Sequence, residues 1–263
     1  LGWVRMREAL RFAGRIVSAS VSRTADRWYV SITVDTPNSH LPPAENQGVV
    51  GVDLGVTRMA TLSTGEIFSG PKALGALLYR LRRLSRSLSR KVKGSRNRVK
   101  AKLKVARMHA RIAHLRREGL HQLTSTLTRR FHTIGIEDLN VKGMLSNRHL
   151  ARAIAGMGFG ELRRQLEYKT AWQGGQVVIV DRWYPSSKTC SGCGDRLAEL
   201  ELAVRHWTCP GCGVLHDRDI NAAINLRNMA VSSTVSACGG EGSGLADTRG
   251  ETGSGEAGIQ PQS

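Results

Sequence analysis

Residues Arg15 to Asp35 alternate apolar and polar positions, through Ile16, Val17, Ala19 and Val21 and again through the run Trp28 to Val34. That period of two, broken at Thr24-Ala25-Asp26, predicts a β-hairpin. Two strands alone are marginal in water, so the hairpin is expected to belong to a larger sheet. After a loop from Pro37 to Gln47, the run Gly48 to Asp53 reads as a buried strand ending in an acid, and 59–62 and 66–68 form the next hairpin through Thr64-Gly65. The period then changes. Leu74, Leu77, Leu78, Leu81, Leu84 and Leu88 recur at helical spacing, Gly94-Ser95 breaks the run, and a second helix is expected from Arg96 to Phe131 with Leu103, Ala106, Ile112 and Leu115 inward. Thr133 to Glu137 is a short strand that again ends in an acid. A helix from Phe159 to Gly174, a strand from Gln176 to Asp181 and a last helix starting near Asp219 complete the pattern. Beyond Ser232 the chain is Gly-, Ser-, Thr- and Glu-rich, with too little apolar surface to offset ordering, and is expected to be disordered.

Charge narrows the class of partner. The 263 residues carry a formal net charge of +18, which favours polyanions and makes binding salt-dependent. The excess is clustered. The polar face of the two long helices carries Arg80, Arg82, Arg83, Arg86, Arg90, Lys91, Lys93, Arg96, Arg98, Lys100, Lys102, Lys104, Arg107 and Arg111, and no acid occurs between Glu66 and Glu118. Ordinary exposed helices mix signs, whereas a face of one sign repels itself unless phosphates neutralise it. Arg82, Arg83, Arg86, Arg90, Lys91, Lys93, Arg96, Arg98, Lys100 and Lys104 are therefore the candidate nucleic-acid contacts. No apolar run approaches the roughly 18–20 residues of a membrane span. No secretory signal layout is present, so a cytoplasmic location is the expectation.

Four of the five cysteines form two pairs, Cys190-x2-Cys193 and Cys209-x2-Cys212, fifteen residues apart. That spacing suits a four-thiolate zinc site, each pair making a tight knuckle followed by a permissive glycine, Gly194 or Gly213. Four ligands close the tetrahedron, so the zinc is expected to be structural and His206 and His216 to be non-ligands. A redox dithiol is the competing reading.

Three acids end or begin predicted elements: Asp53, Glu137 and Asp219. Phosphodiester cleavage by two Mg²⁺ ions needs oxygen ligands converging from separate elements. Asp219 also stands where a helix N-cap could, which is its structural alternative. Spacing alone does not choose between these readings.

Four ordered blocks carry a family resemblance: Gly51-Val52-Asp53-Leu54-Gly55, the run Gly135 to Met144, the run Tyr184 to Cys190, and the run His216 to Ala223. Together they resemble the TnpB/OrfB proteins of bacterial insertion sequences, with the cysteine module between the third and fourth blocks. The resemblance implies an α/β fold of the RNase H-like (RuvC-like) kind. It would have a mixed sheet, a basic helical insertion, a zinc ribbon and the remnant of an N-terminal β-barrel. It assigns residues 1–36 to the barrel's closing strands, 48–189 to the nuclease core with the insertion at about 72–131, 190–213 to the ribbon, 214–231 to the core's final helix and 232–263 to the tail. Asp53, Glu137 and Asp219 match the family's metal-binding acids; Asp138 and Asp217 are neighbours read as non-catalytic. Lys188, Arg218 and Asn221 match motif positions without a derived role. The implied activity is RNA-guided DNA cleavage tied to transposition, by a monomer, with structural Zn²⁺, two catalytic Mg²⁺, a guide RNA from the transposon end and a DNA target. Because the chain opens at Leu1 in mid-pattern, it reads as lacking the family's front half. The alternatives are a catalytically inactive DNA- and RNA-binding regulator of transposition and a ribosome-associated basic protein.

Overall fold

The computed structural model describes residues 5–36, 45–70, 74–201 and 203–238. The first hairpin forms as expected: β1 (Arg15–Thr24) pairs antiparallel with β2 (Arg27–Asp35). It is a two-stranded sheet by itself, with Ile16, Val17, Val21 and Trp28 exposed. It meets the rest of the chain through an Arg107–Asp26 ion pair and an edge-to-face contact of Tyr29 with His114.

The central sheet contains β3 (Val49–Asp53), β4 (Ala60–Leu62), β5 (Ile67–Phe68), β6 (Thr133–Glu137) and β7 (Gln176–Val180), in the order β5-β4-β3-β6-β7. β3, β6 and β7 run parallel; β4 and β5 are antiparallel additions. The fold is therefore mixed α/β. The helices are α1 (Leu74–Ser89), α2 (Arg96–Arg130), α3 (Val141–Ser146), α4 (Ala151–Met157), α5 (Phe159–Trp172) and α6 (Arg218–Cys238). Among the described residues no helix is long and apolar enough to cross a membrane.

Side-chain alternation divides the sheet's two faces. Val50, Val52, Ile134 and Ile136 pack against Leu120, Leu123 and Leu127 of α2 and Leu162 and Leu166 of α5. The other face presents Gly51 and Gly135, paired directly across β3 and β6. A Cβ on Gly51 would lie 1.9 Å from the Ala223 carbonyl oxygen, and one on Gly135 would lie 2.7 Å from that of Leu226. The two glycines let α6 lie with its backbone against the sheet, and Ala222, Ala223, Leu226 and Ala230 are buried there.

Several expected boundaries need correction. The basic insertion is narrower than residues 72–131, because the last three turns of α2 belong to the central core. Only α1 and the first half of α2 share the separate seam of Leu74, Leu77, Met108 and Ile112. The final helix starts at Arg218, not 214; Leu215–Asp217 is instead a strand, β9, paired antiparallel with β8 (His206–Thr208). The strand pair that frames the cysteine module therefore runs past residue 213. The tail is helical through Cys238, not disordered from 232. There the hydroxyls of Ser232 and Ser233 donate to the carbonyls of Asn228 and Met229, four residues back, and Thr234 donates to Val231, so polar side chains are satisfied within the helix. Residues 239–263, 1–4 and most of the loop 37–47 lie outside the described residues. The short α3, α4, β8 and β9 were not read from the sequence.

Gly51→Ala should force α6 off the sheet and cost about 3 kcal/mol or more in chemical denaturation, since neither facing backbone atom can move alone. Gly75→Ala, on the exposed side of α1 with nothing within 4 Å of the added methyl, should be neutral or stabilising by up to about 1 kcal/mol.

Candidate active site and four-cysteine cluster

The parallel strands deliver two of the three acids to one end of the sheet. The register Val52↔Ile136 sets Asp53 and Glu137 side by side at the ends of β3 and β6. Because Gly51 touches the Ala223 turn of α6, the first turn of that helix, with Asp219, reaches the same end. The proximity has an electrostatic signature. Burial, then the Asp219 carboxylate, then Glu137 raise the Asp53 carboxyl from 3.8 to about 7, with Arg218 and Arg205 partly offsetting them. Glu137 is also raised, by burial and then by Asp138.

Asp219 does not cap its helix. Asp217 does, its Oδ1 accepting from the backbone N–H groups of Asp219 (3.0 Å) and Ile220 (3.1 Å). This removes the structural alternative for Asp219 and leaves its carboxylate facing cations. Arg58, from the β3–β4 connection, reaches Asp219 at 3.4 Å and Asp217 at 3.1 Å. Arg205, just before β8, reaches the other Asp219 oxygen at 3.3 Å. Neither arginine carried a signal in the sequence, since the contacts span 161 and 14 residues. Asp138 points elsewhere and is paired with Arg163 and Arg182.

The cysteine pairs fold as two matching knuckles. The N–H of Gly194 donates to Cys190 O and that of Gly213 to Cys209 O, both at 2.9 Å. Both glycines have left-handed backbones, φ +83° and +73°. All four Sγ atoms lie within 4.8 Å of one another. Among the described residues no other group of three or more His, Cys, Asp or Glu is gathered so tightly, the three carboxylates included. His216 Nε2 lies 3.0 Å from Cys190 Sγ, and its ring packs on Trp207. His206 is exposed, 3.7 Å from Asp217.

The last helix also holds this module. Asn221 and Asn225, one turn apart and buried, each donate to the carbonyls of Ser186 and Thr189. Asn221 Oδ1 accepts from Ser191 N. Two asparagines four apart on an otherwise apolar helix face were the signal for this clamp. Lys188 and Arg218, the other motif residues without a role, donate to the carbonyls of Ala198 and Glu201 between the two cysteine pairs.

Of the candidate nucleic-acid contacts, Arg82, Arg83, Arg86, Arg90, Lys91, Lys93, Arg96, Lys100 and Lys104 are exposed on the α1–α2 hairpin. Arg98 differs: its guanidinium donates to Leu88 O and Lys91 O and ties down the turn between the helices.

Comparison with known proteins agrees with this architecture. The OrfB_IS605 family, described as "Probable transposase", matches residues 29–148, and the "Cas12f1-like, TNB domain" family matches residues 159–226. A "Putative RNA-guided DNA endonuclease" of Streptomyces pristinaespiralis is 47% identical over 223 residues, covering 84% of this chain and 54% of the relative. InsQ of Escherichia coli K12, described in the same words, is 36% identical over 254 residues, covering 91% and 62%. The chain thus spans little more than half the length of these relatives. The Cas12f1 chain in a cryo-EM complex with sgRNA and target DNA superposes with a TM-score of 0.51 at 18% identity, over 79% of this chain and 55% of that one. The fold is accordingly that of the Cas12f1 chain over the shared region. Over the matched regions, the chain is similar to the TnpB/OrfB proteins.

A pH dependence follows from Asp53. The unfolded chain releases this proton near pH 4 and the folded one near 7, so between them the folded state binds more protons and stability falls as pH rises. In buffer without magnesium or manganese, melting temperature should decline from pH 5 to pH 7 and level off above. Asp53→Asn should remove that decline; an unchanged profile in the variant would show that Asp53 titrates normally.

Proposed function

We propose that this chain is the nuclease portion of a transposon-encoded, RNA-guided DNA endonuclease, with Asp53, Glu137 and Asp219 as its catalytic acids. The observation that carries the reading is that carboxylates 166 residues apart in sequence are gathered at one end of the sheet, where burial first, and then Asp219 and Glu137, raise the Asp53 carboxyl to about 7. A cluster of like charges at one end of a parallel sheet is costly unless cations occupy it. The names of the relatives point to the same activity, and the order β5-β4-β3-β6-β7 suits a RuvC-like core.

The donor set is all oxygen, which suits a hard ion such as Mg²⁺. Two such ions held by Asp53, Glu137 and Asp219 would supply Lewis acidity and a nucleophile at neutral pH. The chain's own residues do the rest. Asp53, once deprotonated, would be one of the ligands. Arg58 and Arg205 neutralise Asp219 until it is engaged and keep positive charge where a phosphodiester approaches. The Asp217 cap and the Asn221–Asn225 clamp fix the first turn of α6, and with it Asp219. The exposed basic residues of α1 and α2 would track the backbone of a guide RNA derived from the transposon end or of a displaced DNA strand. Base pairing with the guide would supply sequence specificity on the target DNA. The exposed apolar side chains of β1 and β2 fit a barrel completed by further strands. The reading implies a cytoplasmic monomer.

For the cysteines we infer structural zinc. Thiolates about 2.3 Å from zinc stand about 3.8 Å apart in a regular tetrahedron; Cys190–Cys212 and Cys193–Cys209 are separated by 3.7 and 3.6 Å. His216 then serves as a neighbour to a thiolate and not as a fifth ligand.

Protein copurified with RNA should cleave single-stranded DNA when Mg²⁺ is added. Asp53→Ala should abolish cleavage while RNA affinity stays within about threefold, because one carboxylate contributes little to a charge-driven contact. Undiminished cleavage by that variant would unseat the acid assignment. RNA binding with no cleavage by the parent chain would favour a regulator. Metal analysis should return one zinc per chain, with loss of folding when it is removed; a metal-free preparation that keeps its fold would refute the zinc reading.

A further inference from the structure

We propose that the cleft between α1, α2 and α4, whose lining includes none of the three carboxylates, is a pocket for one nucleotide of a single strand. It rests on the nucleic-acid partner proposed above and names a second place where that partner is held. The cleft has a volume of about 560 Å³, within the range of small-molecule sites. Its floor is apolar, made by Leu74 and Leu78 of α1 with Met157 of α4, and its rim carries Arg116, Arg148 and Arg152. No acid lines it.

Two observations separate this cleft from a merely basic surface. Arg116 Nε is buried without an acceptor, and buried donors are nearly always satisfied by protein, water or ligand. A phosphate or base oxygen would supply the missing partner. The arginines are also uncommitted. Elsewhere around α5, Arg163 and Arg164 are each paired with a glutamate, whereas no hydrogen bond or ion pair engages the side chains of Arg116, Arg148 or Arg152 among the described residues. The exposed face of α1 and α2 offers charge without a floor. This cleft offers both, which suits a unit that is anionic at one end and flat and apolar at the other. Guanidinium groups bind phosphate oxygens in a fork and stack on bases, and unstacked bases of single strands are the form such sites accept.

The full chain can be tested with fluorescent eight-nucleotide single strands of one sequence, as DNA and as RNA, each with a 5-iodouracil for photocrosslinking. Arg148→Gln/Arg152→Gln should weaken binding about tenfold at 0.1 M salt and lower the salt slope by about 1.4, at 0.7 per phosphate released. It should also remove the crosslink to the peptide around Met157. Both arginines are exposed, so the fold should survive, as circular dichroism can check. Ala153→Trp, which fills the cleft with no change in charge, should remove the same crosslink. The strand type that crosslinks more strongly identifies the source. If both pocket variants bind and crosslink like the parent while Arg82→Gln/Arg86→Gln/Arg90→Gln loses affinity, the pocket is refuted and the nucleic-acid reading stands. If the parent binds neither strand, both readings fall.

Discussion

The rest of the molecule depends on how closely α6 approaches the sheet. Gly51 and Gly135 sit side by side across a parallel pair, and without side chains there the helix backbone rests on the strands. That contact sets the depth and direction of α6. Its first turn reaches the carboxyl ends of β3 and β6, where Asp53 and Glu137 emerge, so a packing constraint between backbones becomes a constraint on charge. Carboxylates that would repel in water are held together by apolar packing behind them, with Val50, Val52, Ile134 and Ile136 fully enclosed.

The same helix joins two modules. Its inner face is small and apolar where it meets the sheet, and its buried asparagines grip the Ser186–Thr189 backbone where it meets the ribbon. The cysteine knuckles contain little apolar core of their own beyond Trp207, Leu197, Leu200 and Val204. The asparagine clamp, together with the zinc inferred above, would let so small a unit keep its shape. The clamp starts two residues after Asp219, so the cysteine module braces the end of the sheet where the carboxylates gather as well as its own fold.

Charge is arranged in two opposed ways. Around the carboxylates, Arg58 and Arg205 balance an acidic cluster. Along α1 and the first half of α2, Arg107 with its Asp26 partner excepted, and around the α4 cleft, cations face no acids among the described residues. On the proposed function, the first pattern would suit divalent ions and the second a polyphosphate backbone.

Much was legible before the fold was known. The period-two and helical runs located β1 to β7 and the long helices, because side-chain burial follows those periods wherever one face meets a core. Cys-x2-Cys spacing located the knuckles and even their left-handed glycines, since a two-residue loop around an ion has few backbone solutions. Short elements escaped: α3, α4, β8 and β9 span too few residues for a period to show, and the Ser- and Thr-rich end of α6 resembled a loop because composition does not reveal hydroxyls bonding back along a helix. What only the tertiary structure decided was proximity. The choice of Asp217 over Asp219 as the cap, the ion pairs from Arg58 and Arg205, the diversion of Arg98 into a turn and the gathering of three arginines around an apolar floor all join residues whose neighbours in the chain say nothing about one another. Such contacts depend on how far apart packed elements come to rest, and here two missing side chains on a sheet set that distance.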